Sequence, residues 1–259
     1  MKAPRLTYYD ISPRIVAFST TRHGGFSHGA YGDFNINPYC GDTPEAVADN
    51  RKALCRLLGV DEERLILPHQ VHRTEVVTVE PDFFSYASDR RAGMLEGVDA
   101  VMSDVPGVCF GVSTADCIPV IMYDAVRHAA CVVHAGWRGT VARITEKAVA
   151  AMCRRYGSLP PDIFAVVGPG ISAEAFEVGD EVYDEFSRNG FDMTSIAFRR
   201  GKWHIDLPCC NRLQLLECGI PEHNVQLSGI CTYSSFDDYF SARRLGAASG
   251  RIFTGVCLL

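Results

Sequence analysis

Apolar residues in this chain gather in short runs more often than in long helical stripes. Six runs, Arg64–Leu67, Glu75–Val79, Ala100–Ser103, Val108–Val112, Pro119–Tyr123 and Ala129–His134, are β-branched or apolar and are bounded by Pro, Gly or Asp. That pattern predicts strands. A helical period first appears after Asp42: Thr43 suits an N-cap, Pro44 the first helical position, and Val47, Leu54, Leu57 and Leu58 form a stripe that Gly59 ends. A second helix is expected from Thr140 to Tyr156, with Gly157 as its stop. Further along, IFAVVGPGI predicts a strand entering a turn, and VGDEVYDEF a short helix with Val178, Val182 and Phe186 on one side. AFRRGKWHIDL predicts a hairpin turning at Gly201–Lys202, and PCCNRLQLLECG a helix capped by Gly219. Strands are expected near Val225–Cys231 and Arg251–Cys257. Hairpins together with crossover units predict an α+β fold of central mixed β-sheets flanked by helices.

The 259 residues, 47% hydrophobic and 22% charged, suffice for a large core. No repeat or low-complexity linker marks a boundary, so residues 1–259 are read as one catalytic domain. The segment Thr20–Asp42, rich in Gly, Asn and His, is too polar to be core and reads as a long structured loop. A net charge of −6 argues against nucleic-acid or anionic-membrane partners, leaving room for a local basic pocket. No apolar run is long enough to span a bilayer, and MKAPRLTYYD lacks the apolar stretch of a signal peptide. The 11 cysteines are scattered, without CxxC spacing. A reduced, cytoplasmic protein is expected. Nothing resembles a coiled coil, and a monomer is the expectation.

Three segments carry candidate chemistry. STADCIPV places Cys117 in a polar break between two apolar runs, and VVHAGWRGT ends a strand on His134. LPHQVHRTEVVTV offers His69 and His72 before another strand. One thiolate and two imidazoles make a three-ligand zinc set with a position left for water or substrate. On an extended segment the two histidines of QVH and its neighbour face opposite ways, so one of His69 and His72 is expected to ligate, and spacing does not say which. The competing reading of Cys117 is a core cysteine. After His134, Gly136, Arg138, Gly139 and Thr140 open a helix and suit a phosphate or carboxylate. The polar loop adds Arg22, His23, His28 and Asn35.

TTRHGGFS, DNRKAL, QVH, VDAV, TADCIPV, HAGWRGT, GPGI with EVGDEV, and FSARR with SGR together resemble the YfiH family of multicopper-polyphenol-oxidase-like proteins, over nearly the whole chain. The resemblance implies one α+β domain and a zinc-dependent purine nucleoside enzyme. It implies phosphorolysis of adenosine, inosine and methylthioadenosine by inorganic phosphate, with deamination of adenosine beside it. It places the zinc ligands on His72, Cys117 and His134. Arg138 and the Gly136–Thr140 backbone are then expected to hold phosphate, with Arg22 and Asn35 contacting the nucleoside. Two positions depart from the family pattern: Ala242 stands where Tyr is usual, and Arg73 where Gly is usual. Copper (Cu2+) in the same ligand set, with polyphenol oxidase activity, is one rival. Another is a metal-free Cys–His hydrolase, including the peptidoglycan-precursor role linked to bacterial relatives. A deaminase would need a base, for which Glu75, Glu174 and Glu177 are candidates, and the H-x-E…P-C-x-x-C signature is missing. A non-enzymatic anion-binding module ranks last.

Overall fold

Burial of long β-branched runs on both faces dictates the centre of the molecule. The computed structural model describes residues 3–259. In chain order come β1 (Leu6–Tyr9), β2 (Ile15–Thr20), α1 (Pro44–Leu58), β3 (Leu65–Ile66), β4 (Val76–Thr78) and α2 (Ser88–Met94). Next are β5 (Ala100–Ser103), β6 (Cys109–Thr114), β7 (Ile118–Asp124), β8 (Ala129–Ala135), α3 (Trp137–Val141) and α4 (Ile144–Tyr156). Then follow β9 (Ile163–Val167), β10 (Glu177–Val178), α5 (Asp180–Arg188), α6 (Met193–Ile196), β11 (Ala197–Arg200) and β12 (Lys202–Ile205). The last are α7 (Leu207–Glu217), β13 (Val225–Leu227), α8 (Ala242–Leu245) and β14 (Ile252–Leu258).

The strands form a five-stranded sheet, β1-β2-β14-β6-β3, a six-stranded sheet, β13-β9-β7-β8-β5-β4, and a small sheet, β10-β12-β11. Both large sheets are mixed: β3–β6, β13–β9 and β4–β5 are parallel and the remaining pairs antiparallel. Side chains alternate across the pleat. Ile121, Tyr123, Val132 and Val101 therefore share one core with Phe110, Val112 and Val256 of the five-stranded sheet. Their neighbours Val120, Met122, Val133 and Met102 point the other way, onto Ile144, Ala148 and Met152 of α4 and Leu215 of α7. Leu54 of α1 covers the outer face of the five-stranded sheet, with Phe34 and Ile36 of the polar loop, against Phe18, Phe253 and Cys257. The result is an α+β stack of helix, sheet, sheet and helices. No helix among the described residues is long and apolar enough to cross a membrane.

Four expectations need correction. Val178, expected on the helix of VGDEVYDEF, lies in β10, and that helix, α5, starts at Asp180. The loop over 20–42, expected to be too polar for the core, buries Phe34 and Ile36. The helix expected over 140–156 is two helices: α3 starts at Trp137, and Arg143 takes a left-handed conformation (φ 60°) before α4. Tertiary contacts hold that break. The Arg143 guanidinium bonds Glu146 at 2.8 Å, Glu217 at 3.2 Å and the Asn189 carbonyl at 3.2 Å, and lies 4.0 Å from the Phe191 ring centre. The strand expected over 225–231 stops at Leu227, and Cys231 makes one isolated bridge to Gly170.

Candidate metal centre

Connections between the two large sheets assemble the site. The chain leaves the five-stranded sheet at Thr114 and enters the six-stranded one at Ile118, and Cys117 lies on that short crossing. His72 lies on another crossing, between β3 and β4. His134 is on β8, two residues after Val132 and so on the face turned to the other sheet. The donor atoms of His72, Cys117 and His134 lie within 4.8 Å of one another, the one such group among the described residues. Tetrahedral bonds of about 2.0–2.3 Å hold donors roughly 3.5 Å apart, so donors no more than 4.8 Å apart need only small side-chain shifts to ligate one ion.

Two further observations fit a metal ion. A Cβ built on Gly136 would lie 3.0 Å from His72 Cδ2 and 3.1 Å from Cys117 Sγ, so glycine keeps the space beside the donors open. The second is Asp99, a fully buried carboxylate absent from the sequence-derived set. Its Oδ1 accepts from Nδ1 of His134 at 2.7 Å, which leaves Nε2 to face the site. The same carboxylate accepts the backbone N–H groups of His72 (3.0 Å), Arg73 (2.7 Å) and Val71 (3.4 Å). This nest of amides holds His72 at φ 62°, a left-handed conformation that costs a non-glycine residue about 1–2 kcal/mol. One buried acid thus orients two of the three donors. The signal for it was a lone charge in the otherwise apolar run VDAV.

Charge in the site is self-consistent. Burial resists ionisation of Cys117, but the adjacent His134 and His72 overcome it and bring the thiol down to about 6. Burial likewise resists charging of His134, yet Cys117 and Asp99 raise it to about 9. Burial alone would raise the Asp99 carboxyl, but the hydrogen bonds from His134, Arg73 and Val71 hold it below the usual range. A thiolate ready to ligate is what a soft metal requires.

The donors border a cavity of about 350 Å³, at the small end of the roughly 300–1,000 Å³ usual for small-molecule sites. Its walls include Asn37, Tyr39, Gln70, Ser113, Thr114 and Arg251. Ser113 bonds both Asn37 and Gln70, at 2.5–3.1 Å. Thr114 Oγ1 is buried without a hydrogen-bond partner among the described residues. His69 also borders the cavity but stands apart from the donor group, 2.8 Å from Glu96 and stacked on Tyr39 at 4.2 Å.

The other sequence-derived contacts are placed differently. Arg22 and Asn35 organise the polar loop: Arg22 donates to the Phe236 carbonyl at 2.8 Å, and buried Asn35 bonds Asp42 and accepts from the Arg251 amide. Gly136 borders the donors, whereas Gly139 packs against Ile144 and the Arg73 carbonyl. Thr140 is fully buried and accepts from Asn211 at 3.2 Å. Arg138 is exposed, 4.2 Å from the Trp137 ring centre, and does not line the cavity. Glu174 lines a separate cavity, and neither Glu75 nor Glu177 lines this one.

Residues 16–259 match the family model described as multi-copper polyphenol oxidoreductase laccase. The chain is 46% identical over 247 residues to a protein named purine nucleoside phosphorylase from Bacteroides thetaiotaomicron, covering 94% of this chain and 92% of that one. It is 41% identical to adenosine deaminase RL5 of an unknown prokaryotic organism, with 93% of each chain covered. Among solved structures, the hypothetical protein YfiH of Bacillus licheniformis superposes with a TM-score of 0.91 at 28% identity, covering 99% of this chain and 97% of that one. YlmD of Geobacillus stearothermophilus gives 0.87 at 30% identity, with 96% and 94% covered.

Proposed function

Because the chain belongs to the family described as multi-copper polyphenol oxidoreductase laccase, whose similar members include YfiH proteins, we propose that it is a zinc-dependent purine nucleoside phosphorylase, one catalytic domain cleaving adenosine, inosine and methylthioadenosine with phosphate to base and ribose 1-phosphate. The observation that carries this reading is the His72–Cys117–His134 group at the edge of a nucleoside-sized cavity. Relatives named purine nucleoside phosphorylase support the substrate class. His72 Nε2 or Nδ1, Cys117 Sγ and His134 Nε2 would hold the ion. When bound, it supplies Lewis-acid polarisation of a substrate oxygen or nitrogen.

The protein's own groups do the rest. Asp99 keeps the Nδ1 proton of His134 and fixes the ring. Tyr39, stacked on His69, offers an aromatic wall against which a purine can lie. Thr114 Oγ1 has an unmet hydrogen bond that a ribose hydroxyl would satisfy. The Arg251 guanidinium, braced by the carbonyls of Ala247, Ser249 and Gly250, is the cation of the wall and draws phosphate to the sugar. Arg22 and Asn35 act through the loop that carries Tyr39, and Gly136 by leaving room. Arg138 is the weaker phosphate candidate because it faces solvent.

A second reading has its own support: Cys117, His134 and Asp99 are also arranged as a nucleophile, a base and an orienting acid. Incubating the protein with adenosine, with and without phosphate and a zinc chelator, separates the readings. Phosphorolysis predicts adenine only with phosphate, and none after chelation. Inosine as product would instead indicate the deamination named for RL5. Turnover that survives chelation but stops on alkylation would indicate the metal-free triad.

A further inference from the structure

The cavity beside the metal donors and a second space share one lining residue, Ala242. Ala242 lines that cavity and also lines a more open groove of about 400 Å³, whose other lining residues are Asp116, Ile171, Phe176 and Arg243. Asp116 immediately precedes Cys117, so the groove begins one residue from a metal donor. With only a methyl group at 242, little side chain separates the two spaces.

We propose that the groove beyond Ala242 is a subsite for an anionic group carried on the ribose 5′ oxygen, so that a purine nucleoside 5′-monophosphate binds this protein more tightly than the nucleoside. The inference rests on the nucleoside reading of the metal cavity. The charges in the groove support it. Asp116, held left-handed at φ 86°, has both oxygens engaged by neutral donors: Oδ1 accepts from Thr232 Oγ1 at 2.7 Å, and Oδ2 from the Arg243 amide at 2.7 Å, which fixes the carboxylate in place. The Glu177 carboxylate is paired with Lys202 at 2.8 Å. The cation lining the groove is the Arg243 guanidinium. Its Nη1 donates to the Glu177 carbonyl at 3.1 Å, and its centre lies 5.6 Å from the Phe176 ring. A guanidinium has five N–H donors, and one carbonyl leaves the fork able to take two phosphate oxygens. Phe176 and Ile171, both buried, give that contact a less polar floor than open water. The 5′ carbon is the exocyclic arm of ribose, from which a substituent extends without displacing the base or the anomeric carbon.

Calorimetric titration of the zinc-loaded protein with adenosine and with adenosine 5′-monophosphate tests this. The monophosphate is expected to bind about tenfold more tightly at low salt, the size of one charge-assisted contact. Arg243→Gln should erase that ratio, and Ala242→Tyr should reduce it by filling the junction. Arg243→Gln alone suffices should the tyrosine variant fold poorly. A monophosphate that binds no better than adenosine, or an advantage unchanged in Arg243→Gln, overturns the subsite and leaves the nucleoside reading standing. Binding of neither ligand overturns both.

Discussion

At the scale of single residues, Asp99 is the group on which the donor geometry turns, because one carboxylate bonds the ring of His134 and the backbone of His72. Asp99→Asn keeps the size but sets an amide N–H₂ against groups that themselves donate. Zinc affinity should fall about 10–100-fold, read by competition with a chromogenic chelator while circular dichroism stays native. Unchanged affinity would remove Asp99 from the account. Cys117 and His134 also fix how the metal-free protein responds to pH. The thiol, lowered to about 6 from an ordinary 9, contributes stability that is lost as pH falls through about 6. The imidazole, raised to about 9 from 6.5, contributes stability that is lost as pH rises through about 9. The metal-free protein should therefore be most stable between these values. Alkylation of Cys117, followed by peptide mapping, should reach half its maximal rate near pH 6. In His134→Ala that midpoint should move up towards the usual thiol range, and an unmoved midpoint would deny the pairing.

At the scale of elements, the sequence was most legible where local chemistry decides. Helix α1 has its Thr43 cap accepting from the Ala46 amide, its Pro44 start, and Gly59 left-handed at φ 69° just past its end. The hairpin of β11 and β12 turns at Gly201 (φ 74°), as its sequence predicts. Legibility failed where distant partners decide. The break at Arg143 is held by Glu217, Asn189 and Phe191, which no local window reveals. Choosing His72 over His69 depended on a left-handed backbone that only Asp99 explains, and resemblance, not spacing, pointed to it. Neither the wall residues Tyr39 and Thr114 nor the placement of Arg138 follow from local pattern. The sheets also contain a close contact that tests the observed register. Gly111 of β6 faces Gly255 of β14, and a Cβ on Gly111 would lie 2.2 Å from the Thr254 carbonyl oxygen. Gly111→Ala should cost about 3 kcal/mol or more by overpacking, lowering Tm by roughly 6–12 °C. A shift within 1 °C would contradict the pairing of these strands.

At the scale of the whole molecule, the three donors come from two crossings between the large sheets and from β8 within one of them. An ion at that point ties the sheets together, so binding and folding are linked. At free zinc about 100-fold above Kd, the gain is about 2.7 kcal/mol, or roughly 5–10 °C in Tm for a chain of this size. Cys117→Ala should show little of that rise in a thermal melt, and an equal rise in the variant would mean that zinc acts elsewhere. The most direct test of the account is a titration of the metal-free protein with zinc while phosphate-dependent release of adenine from adenosine is followed. The rate should climb linearly and level off at one ion per chain. Full turnover at zero bound zinc, or a plateau at several ions per chain, would contradict it.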